Sequence, residues 1–181
     1  MLRNTFMLLA MVPLLTAAQK YGTRNGQLQF RSETPLETIE AENFKGTCVL
    51  DASTGAIEFM ALIKGFQFEK ALMQEHFNEN YMESDKFPKA SFKGTVDGMS
   101  AELITRPGRH DLTVNGELTI HGVTKPLSTP VTVEVQPTGA TVAECGFIIL
   151  PEDHDIAIPG MVRDNIAKEI HVKVKAELQK L

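Results

Sequence analysis

Apolar and polar residues alternate over residues 110–136, which is the clearest pattern in the chain. A period of two residues is typical of a β-strand with one buried and one exposed face. The apolar positions of this stretch are Leu112, Val114, Leu118, Ile120, Val131, Val133 and Val135. The break at 122–126 separates two such runs and predicts a β-hairpin. Because the apolar parity is unchanged across Gly116, we expect a continuous strand that bends there, and not a turn at Asn115-Gly116.

Further stretches of alternation predict strands before and after this hairpin. They cover residues 20–33, 39–45, 47–51, 56–63, 90–99, 140–150 and 170–178. Phe59 and Phe92 take inward-facing positions in two of these strands, and Val172 and Val174 do so in the last. The pattern predicts eight or nine antiparallel strands, a number that fits either a two-sheet sandwich or a closed barrel. An eight-stranded barrel is wide enough inside for side chains or for one small ligand.

One stretch follows the helical period instead. Apolar residues between Phe68 and Met82 recur at spacings of three and four, and a polar face of mixed charge covers the opposite side. This spacing predicts an amphipathic helix over 68–82 that packs on the protein's own sheet. The strand predicted over 56–63 is apolar on both faces, so we expect the helix to cover the outer face of that strand.

The N-terminal residues differ from the rest of the chain. Arg3 precedes an apolar run over 6–15, and Thr16-Ala17-Ala18 has the small residues of a cleavage site. The pattern predicts a secretory signal peptide (1–18) followed by one domain (19–181), and therefore a periplasmic or secreted protein. A buried N-terminal helix is the alternative interpretation.

Composition narrows the range of functions. The chain of 181 residues has a net charge of −5, no tryptophan and no visible basic face, which argues against binding of nucleic acid. The mature part contains no long apolar run, so we do not expect it to span a membrane. The sequence also lacks GxSxG, HExxH, CxxC and phosphate-binding glycine motifs. We therefore expect neither catalysis nor a cofactor.

Two features leave alternatives open. His154 lies within the acidic segment 152–155, the one candidate cluster for a divalent cation. Its spacing matches no known ligand set, so a solvated acidic loop is the favoured interpretation and no metal site is predicted. Cys48 and Cys145 are the only cysteines. They either form a disulfide in an oxidising compartment or pack as two separate buried thiols.

Three segments resemble the hallmark sequences of the YceI-like family. They read FEKALMQEHFNENYMESDKFPKASFKG (68–94), GELTIHGVTKPL (116–127) and IPGMVRDNIAKEI (158–170), and they occur in family order. The resemblance implies an all-β fold, a lipocalin-like eight-stranded antiparallel β-barrel with one capping amphipathic helix. It further implies an exported, non-catalytic protein that holds a polyisoprenoid or another long-chain amphiphile in an elongated pore. The resemblance also implies that two chains can pair as a homodimer.

Once a pore is implied, the inward-facing apolar residues become candidates for its lining. They are Phe59, Phe92, Leu112, Val114, Leu118, Ile120, Val131, Val133, Val172 and Val174. A positive side chain at the mouth could hold a phosphate or carboxylate head group, for which Lys125 and Arg163 are the candidates. Surface salt bridges are the alternative role for both. If the apolar residues filled the interior, the protein would instead be a structural or interaction barrel, associated with the envelope or with a stress response.

Overall fold

Eight antiparallel strands close into a barrel in the computed structural model, which describes residues 19–181. In chain order the strands are β1 (Lys20–Glu33), β2 (Thr38–Asp51), β3 (Ala56–Leu62), the two-residue β4 (Gln67–Phe68), β5 (Lys89–Asp97), β6 (Gly108–Ile120), β7 (Val123–Val135), β8 (Thr141–Ile149) and β9 (Ile170–Lys180). Their order is β1-β9-β8-β7-β6-β5-β3-β2; pairing of β1 with β2 closes the ring, and β4 pairs with β2 alone. The predicted eight-stranded barrel is confirmed. The predicted signal peptide, residues 1–18, lies outside the described residues.

Two inward-facing glycines inside strands test the strand bounds predicted from the sequence. β6 runs without a break through Gly116, as predicted, and its Gly116 pairs with Leu127 of β7. β2 likewise runs through Gly46, so the prediction of two strands separated at that glycine is wrong. A Cβ at Gly46 would lie 2.5 Å from the Phe59 ring. This glycine therefore makes room for an aromatic ring and does not form a turn.

One end of the barrel, termed the packed end, is filled by side chains. A short 3-10 turn, Leu103–Thr105, lies in the connection between β5 and β6 and places Ile104 against the strands. The buried apolar residues of this end include Tyr21, Leu50, Ala52, Met99, Ile104, Val133, Val135, Ala176 and Leu178. Leu50 and Leu178 are each only 1% exposed, and Ile104 is 2% exposed. Such close contact leaves no room for a ligand at this end.

The helical segment lies at the opposite end, termed the open end. An α-helix over Ala71–His76 continues as a π-helical turn over Phe77–Tyr81. The helix begins three residues later than predicted, because Phe68 pairs with Ala41 in β4 and Lys70 is still extended. It packs across the mouth of the barrel and not on the outer face of β3, where Leu62 remains 53% exposed. That part of the prediction is wrong.

The long connection between β8 and β9 also folds over the open end. It contains two 3-10 turns, Pro151–His154 and Gly160–Asn165. His154 is 3% exposed, and its Nδ1 lies 3.2 Å from the carbonyl oxygen of Val123. The favoured expectation of a solvated loop is therefore wrong for this histidine. Within residues 19–181, no helix has the length and apolar character needed to cross a bilayer.

Candidate functional site

The open end of the barrel encloses an apolar cavity of about 330 Å³, termed the upper cavity. Four phenylalanines form much of one side. Phe77 of the π-helical turn lies 5.4 Å from Phe30 of β1, 5.6 Å from Phe66 and 5.1 Å from Phe68, measured between ring centroids. Aliphatic residues from β6, β9 and the connection between β8 and β9 also line the cavity; they are Leu118, Ile120, Ile156, Ile158, Val162, Ile166, Ile170 and Val172. The π-helical turn thus brings the helix's aromatic side chains over the lumen.

A second apolar cavity of about 100 Å³, termed the lower cavity, continues toward the packed end. Four residues from four strands line both cavities and are together termed the waist: Leu28, Ala90, Leu118 and Phe147. Because the two cavities share these walls, they lie in series along the barrel axis. The lumen is therefore elongated and closed at one end.

Glycines in the wall keep this lumen open beside large rings. A Cβ added at Gly94 or at Gly116 would lie 2.7 Å from the Phe92 ring. Those two glycines pair directly across β5 and β6, so the tip of the Phe92 ring lies close to bare backbone. Phe59 lies in the same way over Gly26 and Gly46. The rings line the wall where side chains at these glycines would have pushed them into the lumen.

The structure separates the predicted lining residues into two groups. Eight of them line a cavity: Ile120 and Val172 the upper one, Phe59, Phe92, Val114, Val131 and Val174 the lower one, and Leu118 both. Leu112 and Val133 belong to the core of the packed end instead, where Val133 is 1% exposed. Alternation selects the inward face correctly, but it does not say how far along the barrel the lumen reaches.

Neither predicted head-group residue is part of the cavity lining. Lys125 is exposed on β7, and Arg163 is half-buried in the turn Gly160–Asn165. The polar residues that do line the upper cavity are Ser32, Glu37, His76, Tyr81 and Asn165. They come from β1, from the turn after it, from the helical segment and from the connection between β8 and β9. Sequence reasoning missed them because they are dispersed and follow no motif.

Glu37 joins three of these segments at the mouth. Its Oε2 accepts a hydrogen bond of 3.1 Å from Asn165 Nδ2, and its Oε1 lies 3.7 Å from Lys70 Nζ. The Thr34 hydroxyl accepts a hydrogen bond of 3.1 Å from the Glu37 backbone N–H, which fixes the turn that carries the carboxylate. The Glu37 side chain is 25% exposed. Glu37 is therefore a positioned carboxylate at the entrance to an apolar cavity.

Burial changes the acidity of three lining groups. Desolvation raises the pKa of the Tyr81 hydroxyl above its usual range. Desolvation, with a smaller repulsion from Cys145, raises the pKa of the Cys48 thiol to about 12. Desolvation also raises the pKa of the Cys145 thiol to about 11. The two cysteines are free thiols that both face the lower cavity. Each shift favours the neutral form, as expected beside an apolar lumen.

The rim is held together on the far side of the mouth by His121. Its Nδ1 lies 3.1 Å from the His154 carbonyl oxygen, and its Nε2 lies 3.0 Å from Glu83 Oε2. Phe87 packs edge-on against the ring at 4.5 Å. These contacts fix the turn Pro151–His154 against the hairpin between β6 and β7. In the part of the chain that the structure describes, no three His, Cys, Asp or Glu residues are grouped so as to hold a metal ion.

An antiparallel barrel that is packed at one end and hollow at the other defines a lipocalin-like, ligand-binding type of β-barrel. The comparison with protein families makes the assignment specific, because the YceI-like domain matches residues 23–178. The chain belongs to the YceI-like family. Among curated protein sequences, none is significantly similar to it.

Several solved structures share the fold at low sequence identity. A polyisoprenoid binding domain from Saccharophagus degradans, implicated in plant cell wall breakdown, is 12% identical with a TM-score of 0.78, over 91% of this chain and 100% of that one. BcnA from Burkholderia cenocepacia is 15% identical with a TM-score of 0.70, over 85% and 96%. A YCEI protein from Campylobacter jejuni is 12% identical with a TM-score of 0.56, over 100% and 99%. These likenesses support the fold.

Proposed function

We propose that the protein is an exported, non-catalytic carrier that binds a polyisoprenoid or another long-chain amphiphile in the barrel lumen. The observation that carries this proposal is the apolar upper cavity of about 330 Å³, continued by a lower cavity of about 100 Å³ and closed at the packed end. Small-molecule sites in proteins span about 300–1,000 Å³, so the upper cavity alone reaches that range. The description of the Saccharophagus degradans neighbour as a polyisoprenoid binding domain supports the same ligand class.

The energetics suit a chain-shaped ligand. Burial stabilises a tail by about 0.8 kcal/mol per methylene, so about ten methylenes contribute about 8 kcal/mol. Ordering of the ligand opposes part of this gain. Because the contribution comes from apolar area, the carrier needs few polar contacts and no bond making. The alternative of a barrel filled from end to end does not account for the lumen above the packed end.

The test is lipid extraction and native mass spectrometry of the mature protein purified from its own host. We expect a bound amphiphile with a long apolar tail, and uptake of offered lipid by protein from which it has been removed. Ala90→Phe should abolish uptake, because Ala90 belongs to the waist and lines both cavities. Ala56→Phe is the matched control, since Ala56 is exposed. Uptake by the Ala90→Phe protein equal to that of the control would contradict binding in the lumen.

Export is a separate part of the proposal, supported by the amino-terminal sequence pattern. Intact mass measurement of the protein from its host should give a chain that begins near Gln19. A chain that retains residues 1–18 in the cytoplasm would contradict export, and it would leave lipid binding untouched.

A further inference from the structure

The lining of the upper cavity includes an acidic side chain without a basic one to balance it. Among the described residues that line it, Glu37 is the one acidic side chain, and none is lysine or arginine. The nearest ammonium, Lys70 Nζ, lies 3.7 Å from Glu37 Oε1 on a side chain that is 63% exposed. Water screens a pair of this kind, so Lys70 neutralises the carboxylate only weakly.

The polar groups around Glu37 suit a hydrogen-bonding partner without charge. A carboxylate accepts up to about four hydrogen bonds, and the described protein supplies one from Asn165 and a contact from Lys70. Acceptor capacity therefore remains on this carboxylate, whose residue lines the cavity. Tyr81 also lines the cavity, and its hydroxyl, which can donate or accept, has no hydrogen-bond partner among the described residues. The His76 ring completes the polar set.

An anionic head group would meet unfavourable surroundings here. It would leave water for an apolar cavity and approach a carboxylate of the same sign, without an arginine or lysine in the lining to receive it. An alcohol or a primary amide has no charge to desolvate, and it can donate a hydrogen bond to the Glu37 carboxylate. A hydrogen bond to a charged acceptor is stronger than one between two neutral groups.

We infer that the mouth of the barrel selects amphiphiles whose head group is an uncharged hydrogen-bond donor, such as a primary alcohol or a primary amide. Glu37 is the residue that determines this selectivity by repelling carboxylate and phosphate head groups and by accepting the donor. The inference rests on the proposed carrier function, because it concerns the head group of the same ligand.

The experiment uses four ligands with one tail: hexadecanol, hexadecanamide, hexadecanoate and hexadecyl phosphate. Each displaces a neutral fluorescent probe from the full mature chain, at neutral pH and below the ligand's micellar concentration. We expect the alcohol and the amide to bind at least about tenfold more tightly than the two anions, which corresponds to about 1.4 kcal/mol. Glu37→Gln should remove most of this ratio, because it keeps the shape and removes the charge.

Two further variants complete the design. Glu40→Gln is the matched control, since Glu40 is exposed on β2, close to Glu37 in the chain, and pairs with Arg31; its ratio should equal that of the unmodified protein. Lys70→Met should increase the ratio, because it removes the positive charge nearest to Glu37. Lys70 is exposed, so we expect this variant to fold. Lys70→Met therefore tests the inference even if Glu37→Gln does not fold.

The outcomes separate the two proposals. Equal affinity for all four ligands, or an unchanged ratio in Glu37→Gln, overturns the selectivity and leaves the carrier function intact. Tighter binding of the anions overturns it as well. If none of the four ligands binds and the host protein also carries no lipid, the carrier function fails, and the inference fails with it.

Discussion

The two ends of the barrel are built from the same strands, yet one is packed and the other is hollow. On β9, Leu178 is 1% exposed in the core of the packed end, whereas Val172 and Val174 line the cavities, and Ala176 between them belongs to both the packed core and the lower cavity. The four residues follow one another on one face of one strand. The difference therefore does not lie in the alternation, which is the same along the whole strand.

Two structural features separate the ends. At the packed end, the turn Leu103–Thr105 inserts Ile104 between the strands and fills the space. Toward the open end, inward-facing glycines let Phe59 and Phe92 lie against the wall, and the helical segment covers the lumen without filling it. A barrel of eight strands can be filled or hollow, and here both arrangements occur in one molecule.

The largest expected effect is on the alkylation rate of the two thiols that face the lower cavity. It tests whether water fills the hollow part of the barrel. The pKa of Cys48 is about 12 and that of Cys145 about 11, against an ordinary value of 9.0. Since the thiolate is the reactive form, alkylation by iodoacetamide at about pH 8 should be at least about a hundredfold slower in the folded protein than in the unfolded chain. Rapid labelling of both native thiols would indicate a water-filled lumen.

The same shifts set the sign of a pH effect on stability. Because the folded pKa values are raised, the protonated thiols contribute stability that is complete below pH 9 and is lost as the pH rises through about 11 to 12. Urea unfolding across this range should show a steeper alkaline loss for the unmodified protein than for Cys48→Ala. If the free energy of unfolding fell equally with pH in the two proteins, the Cys48 thiol would not be a source of the alkaline loss.

The next effect compares two leucines. Leu178→Ala removes a side chain from the packed end and should lower the free energy of unfolding by about 2–5 kcal/mol, because the close packing leaves a cavity behind. Leu127 is half-buried and faces the lower cavity, so its neighbours already have free space on one side. Leu127→Ala should therefore cost clearly less in urea unfolding. Equal losses would mean that the two ends are packed alike.

The third effect concerns the length of the lumen. Phe92 packs against both hydrophobic clusters of the barrel, so its ring lies between the packed end and the upper cavity. Phe92→Ala should let a tail reach deeper and shift binding toward longer alcohols, by about 0.8 kcal/mol for each additional buried methylene. The matched control is Phe44→Ala, since Phe44 is 47% exposed. An unchanged preference for tail length would show that Phe92 does not limit the lumen.

The sequence predicted the strands and the inward face well, because a period of two is a local property of the chain. It could not predict where packing ends, since Val133 and Val172 sit in identical patterns and differ only in what other segments bring to them. The polar residues of the upper cavity escaped sequence reasoning for a related reason. Glu37, Tyr81 and Asn165 are separated along the chain and meet only in the folded barrel.

Lys125 shows a further limit of reasoning from parity. It pairs with Leu118 and so belongs to the inward series, yet it is exposed. β7 pairs with β8 only from Val131 to Val135, and Pro130, which has no N–H, comes directly before that ladder. Beyond it, the Thr129 hydroxyl donates a 2.8 Å hydrogen bond to the Gly146 carbonyl in place of regular pairing. Parity alone does not reveal where a strand leaves its neighbour.

The smallest expected effect is confined to the rim of the open end. Both ring nitrogens of His121 face acceptors, the His154 carbonyl and the Glu83 carboxylate, so the ring links the two. Glu83→Gln weakens one of these contacts and should loosen the turn Pro151–His154, with amide hydrogen exchange at Ile156 faster by about three- to tenfold. Global stability should change by less than about 1 kcal/mol, because the packed end is untouched.

Asp85→Asn is the control, since Asp85 is 92% exposed and pairs only with Lys64 among the described residues. If exchange at Ile156 rose equally in the control, the contact between Glu83 and His121 would not be what holds this part of the mouth.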